Sequence, residues 1–83
     1  MSNEILAMKG KLADLEQQDY RLRLKAEGLS DTIRQGLNYN LVPVSEMEIA
    51  RTAALMDDLV VTQGEMLAVR LQMDRLKREL GNG

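Results

Sequence analysis

The sequence has no cysteine, histidine, tryptophan or phenylalanine, only two tyrosines, and a single proline. Without cysteine there is neither a disulfide nor a thiolate nucleophile. Without histidine there is no imidazole base, and the two absences together remove the usual zinc sites. No run of about 18 apolar residues occurs, so no membrane span is expected. The first ten residues carry Glu4 where a signal peptide would be basic, and no apolar stretch follows. No leader is therefore expected, and the chain reads as cytoplasmic. Basic and acidic residues number 11 and 13, for a net charge of -2, which argues against a general nucleic-acid binder.

What remains is aliphatic and charged. Of 83 residues, 45% are hydrophobic and 29% charged, enough apolar material to fold. The length allows one small domain with a thin core, for which oligomerisation is a common remedy.

The chain punctuates itself once. Pro43 stands in Leu37-Asn38-Tyr39-Asn40-Leu41-Val42-Pro43-Val44-Ser45, where two Asn and a Pro signal a loop. Gly36 or Asn38 could supply a left-handed residue to end a helix. Ser45 followed by Glu48 ahead of an apolar run has the spacing of a capping box. These signals predict a helix over 3–36, a loop over 37–45 and a helix over 46–80. Gly81-Asn82-Gly83 reads as a frayed end.

On both sides of the loop, apolar residues recur at spacings of three and four. The first series is Ile5, Met8, Leu12, Leu15, Asp19, Leu22, Ala26, Leu29, Ile33, Gly36. The second is Thr52, Leu55, Leu59, Thr62, Met66, Val69, Met73, Leu76, Leu80. Each spans about four heptads, long enough to read as a coiled-coil seam with Ile5 and Leu59 at position a and Met8 and Thr62 at d. Period-two alternation is absent, which excludes strands. The fold class expected is all-α: an antiparallel, coiled-coil-like two-helix hairpin, with dimerisation to a four-helix bundle.

Folding the chain about position 44 tests the antiparallel reading within the sequence. The core layers become Met8 with Leu80, Leu12 with Leu76, Leu15 with Met73, Leu22 with Met66, Leu29 with Leu59 and Ile33 with Leu55. One flank then places Lys11 opposite Glu79, Gln18 opposite Gln72, Lys25 opposite Glu65 and Thr32 opposite Asp58. None of these is repulsive, and a one-heptad slide keeps at most one favourable pair. The other flank is mixed, with Glu16 near Arg70 but Lys9 near Lys77. Exposed pairs contribute about 0–1 kcal/mol each, so Lys11, Glu79, Lys25 and Glu65 are read as choosing the register rather than holding it. Asp19 falls in the seam opposite Val69. It is read as a further register-setting residue, satisfied by Arg23 on its own helix or Arg70 across the seam.

A second apolar strip lies off the seam. The second helix carries Ile49, Ala53, Met56, Val60 and Leu67 at e and b positions, and the first carries Leu6, Ala13 and Tyr20 at b. Both sets fall on one flank of an antiparallel hairpin. A contiguous exposed apolar strip marks an interface. Ile49, Ala53, Met56, Val60, Leu67, Leu6 and Tyr20 are therefore the expected oligomer surface, covered by a second copy or by another protein. In the loop, Tyr39, Leu41 and Val42 form a possible partner-binding tip, the plainer expectation being closure over Met47 and Ile49.

No constellation carries chemistry. Asp57 and Asp58 are adjacent and point apart on a helix. Gly10-Lys11 lacks the glycine and hydroxyl of a phosphate loop. The six methionines read as adaptable packing material. No catalytic residue, metal or cofactor is expected. The expected function is a non-enzymatic structural or protein-interaction module, an adaptor, subunit or small regulator that self-associates. The alternative is a small dimeric nucleic-acid-binding regulator using Arg21, Arg23, Lys25, Arg34, Arg75, Lys77 and Arg78. Asp19, Glu27, Asp31, Asp74 and Glu79 interleave with those cations, the pattern of a solvated face.

Overall fold

The computed structural model describes residues 2–82. It contains two long helices, α1 over Ser2–Gly36 and α2 over Ile49–Asn82, separated by a loop with a single 3-10 turn at Val44–Glu46. Among the described residues there is no strand. The helices pack along each other as a hairpin measuring 63 by 15 by 15 Å. Gly36 of α1 lies against Thr52 of α2, and Asp19 is bonded to Arg70. Both contacts match folding about position 44 within one residue, so the helices run antiparallel in the register read from the sequence.

The buried side chains all lie in the heptad seam: Leu15, Ile33 and Val69, with Thr52 and Thr62. The other seam residues are half-buried, with one exception. Ile5 is 42% exposed, because its antiparallel partner position lies beyond the end of α2. Two threonines can be buried in an apolar seam because each hydroxyl donates to the carbonyl one turn back. Thr62 Oγ1 donates to the Asp58 carbonyl at 2.8 Å, and Thr52 Oγ1 to that of Glu48 at 3.1 Å. Among the described residues no buried side-chain polar atom lacks a partner.

The turn between the helices departs from expectation at both ends. Among the described residues no backbone adopts a positive φ, so neither Gly36 nor Asn38 supplies a left-handed cap. Instead α1 tightens: the Asn38 N–H donates to the Gln35 carbonyl at 3.3 Å, and Asn38 Oδ1 accepts from the Asn40 N–H at 3.0 Å. Nor does α2 begin at Glu46. The Glu46 N–H bonds the Pro43 carbonyl and the Met47 N–H the Val44 carbonyl, closing the 3-10 turn around Ser45. The first α-helical bond is from the Thr52 N–H to the Glu48 carbonyl, 3.0 Å, so the capping box is not formed. The reason is the register. With Gly36 level with Thr52, a helix starting at Glu46 would project more than a turn and a half beyond the end of α1 with nothing to pack on, and the chain needs those residues to turn round. At the far end Gly81 and Asn82 continue α2 rather than fray, and Gly83 lies outside the described residues.

Gly36 serves close approach rather than turning. A Cβ built on it would lie 2.7 Å from Thr52 Oγ1. That oxygen cannot swing away cheaply, since threonine is stiff at χ1 and the hydroxyl is held by Glu48. Gly36→Ala is therefore expected to destabilise the hairpin by about 1–2 kcal/mol, overpacking outweighing the gain in helix propensity. In a Thr52→Ala background the same change becomes neutral or stabilising. Thermal melts of the four variants check the reversal of sign.

Candidate functional site: the flanks of the hairpin

Heptad geometry puts the e and b residues of both helices on one flank and the g residues on the other. On the g side, Lys11, Gln72, Arg75 and Glu79 border one shallow groove. The ion pairs expected there do not close. Among the described residues the pairs formed are Arg34 with Asp31, Arg51 with Glu48, and Arg70 with Asp19. Lys11 and Glu79 line the same groove, and the register sets Lys25 opposite Glu65, but among the described residues neither pair forms a salt bridge. The physical reason is that a solvated lysine gains little from holding one geometry, whereas Arg34 and Arg51 each reach a carboxylate three residues back in the chain.

Asp19 is the polar interruption of the seam. Its side chain is 15% exposed and accepts a hydrogen bond from Arg70 Nε at 3.2 Å, while Arg70 remains 55% exposed. The sequence offered Arg23 or Arg70. Arg23 instead lies over the Tyr20 ring, 5.6 Å from its centroid. Asp19→Leu removes both a partly desolvated carboxylate and its need for a partner, so the melting temperature should hold or rise while additional oligomers appear. Arg70→Ala leaves the carboxylate in place without its donor and should cost about 1 kcal/mol, at the low end for an unsatisfied group because some water reaches it. Melting curves and mass distributions of the two variants test that asymmetry.

The e/b flank divides into two halves. Towards the loop, Ile49, Met56, Val60 and Leu67 of α2 stand exposed, with Ala53 between them. Beside them lies an open groove of about 460 Å³. It owes its existence to a thin core layer. Ala26 faces Thr62 in the seam, two small side chains where the neighbouring layers hold leucine and methionine, and the floor is Ala26 with Leu59 and Met66. The α2 wall is Met56 and Val60 with the polar Gln63; the α1 wall is polar, with Arg23, Glu27 and Ser30. Away from the loop the order inverts. There α2 presents Arg70, Asp74 and Lys77 around a second depression, and the exposed apolar residues Tyr20 and Leu6 belong to α1. The sequence reading of one continuously apolar flank is thus too simple: the apolar strip changes helix at mid-length, near Tyr20 and Leu67. Three further exposed apolar residues, Leu24, Val61 and Leu71, lie on the outer faces and were not singled out. Their f and c positions give no signal, because isolated surface hydrophobes carry no period.

The loop residues also divide. Val42 and Met47 line a groove with Gly36, Thr52 and Leu55 and partly close the end of the hairpin. Tyr39 is 73% exposed and Leu41 65%, so the tip presents both to solvent. Among the described residues no group of three acidic, His or Cys side chains is placed to hold a metal ion, and no helix is long and apolar enough to cross a membrane.

Comparison with models of known protein families, with curated proteins and with solved structures finds no significant match. The functional reading therefore rests on the surface geometry alone.

Proposed function

We propose that this chain is a non-enzymatic structural or protein-interaction module, working in the cytoplasm as an adaptor, subunit or small regulator, and that it self-associates into a four-helix bundle through the loop half of its e/b flank. The observation that carries the reading is unspent surface, with Ile49, Met56, Val60 and Leu67 exposed along one strip of it. The hairpin exposes 6433 Å², whereas a compact monomer of 9.3 kDa exposes about 5000 Å². Its radius of gyration is 18.6 Å against about 12 Å for a compact domain of this length. The excess of about 1400 Å² is more than the ~800 Å² that one partner contributes to an ordinary stable interface. Among the described residues three apolar side chains are buried in the isolated hairpin, so a second layer of helices has much to add.

The cations support this reading over nucleic-acid binding. Of the cations named for that role, Arg34 is paired with Asp31 and Arg23 lies over the Tyr20 ring, and Asp19, Glu27, Asp74 and Glu79 are interleaved with the others, so the positive charge is interrupted along both helices. The test is the concentration dependence of thermal unfolding. A self-associating module melts several degrees higher when its concentration is raised a hundredfold. A melting temperature independent of concentration, together with RNA or DNA binding that weakens steeply with salt, would replace this reading by the other.

A further inference from the structure

The arrangement of charge around the apolar strip specifies how a second copy sits. We infer that two hairpins dock antiparallel, α2 upon α2 and α1 upon α1, about a two-fold axis passing between Met56 and Val60. This inference rests on the self-association proposed above.

The strip is self-complementary about that axis. Met56 of one copy meets Val60 of the second copy, and Ile49 meets the second copy's Leu67, so the four large exposed apolar side chains of the α2 strip all find apolar partners, while Val61 and Leu71 lie off it. The intramolecular register then fixes what α1 does. Ser30 lies level with residue 58 of α2, so the same axis passes beside Ser30. It brings Glu27 within one residue of the level of the second copy's Arg34, and by symmetry Arg34 to the second copy's Glu27. Glu27 makes no ion pair within its own chain among the described residues, while exposed Arg34 already holds Asp31 and has donors to spare. The groove between the helices, open because of the Ala26–Thr62 layer, lies at the axis where the second copy's side chains close it.

Neighbouring registers fail on charge. A slide of one heptad in one direction sets Glu27 against the second copy's Glu27 and Ile49 against its Asp74. A slide in the other direction sets Arg34 against Arg34 and carries Leu67 past the start of the second copy's α2. Full-length overlap is worse, since it lays the apolar half of α2 on Arg70, Asp74 and Lys77. The half-staggered dimer also carries each loop, with exposed Tyr39, over the second copy's Tyr20.

The absence of cysteine makes the inference directly testable. Ile49 and Leu67 are about 27 Å apart along one helix, far beyond disulfide reach, so a bond between cysteines at these positions is intermolecular. The Ile49→Cys/Leu67→Cys variant is expected to oxidise to a covalent dimer at least tenfold faster than either single variant. In a second measurement on the cysteine-free chain, Glu27→Arg raises the dimer dissociation constant about tenfold, and Glu27→Arg/Arg34→Glu restores it. A wild-type chain that is monomeric at all concentrations overturns both the self-association and this geometry. A dimeric wild type whose double-cysteine variant oxidises no faster than the singles, and whose charge swap gives no rescue, overturns the geometry alone.

Discussion

Val60→Lys is expected to leave a helical monomer. Val60 is 65% exposed in the hairpin, so the lysine lies in water there and should slightly favour the helix. In the proposed dimer Val60 lies near the two-fold axis, and each copy would bring one ammonium into the buried centre. Desolvating two like charges costs several kcal/mol, enough to raise the dissociation constant at least a hundredfold. Sedimentation velocity should show a single slow species, with the far-ultraviolet circular dichroism of a helical hairpin. Val61→Lys is the matched control. Val61 is as exposed, at 61%, but points off the strip, and its replacement should leave the association unchanged. A Val60→Lys variant that dimerises like the parent would show that the interface lies elsewhere.

Leu15→Ala should have the largest effect on folding. Leu15, 5% exposed, is the most deeply buried apolar side chain among the described residues and lies opposite Met73 in the register. Truncation removes its transfer free energy and leaves a cavity, together about 2–5 kcal/mol. A chain of this length has about 4–12 kcal/mol of total stability, so the loss consumes a large share of it. The urea midpoint is expected to fall sharply. Leu6→Ala, by contrast, should be nearly silent in the monomer, because Leu6 is already 65% exposed. Equal effects of the two substitutions would mean that the seam is misassigned.

The seam was legible in the sequence because a heptad repeat states which face of a helix is apolar, and the two repeats together state how the faces meet. Every buried residue among those described falls on it, and the Gly36–Thr52 approach and the Asp19–Arg70 bond follow from folding about one position. The start of α2 was not legible. Ser45 and Glu48 have the spacing of a capping box, but Ser45 sits inside the 3-10 turn and Glu48 just ahead of α2, and only the packing length of α1 decides between the two arrangements. The lysine–glutamate pairs of the g flank were legible as complementary charge, not as closed bonds, since solvent competes for each partner. The flank was legible in part. The exposed residues Ile49, Met56, Val60 and Leu67 follow from the spacing, yet the groove beside them arises from Ala26 and Thr62, whose small volumes matter only once the backbones are placed.

The central claim is that this hairpin leaves an apolar flank which its own second copy covers. Sedimentation equilibrium of the wild-type chain over a wide concentration range tests it most directly. The account predicts a mass rising with concentration to a plateau at twice 9.3 kDa. A mass fixed at that of one chain up to millimolar concentration would contradict it.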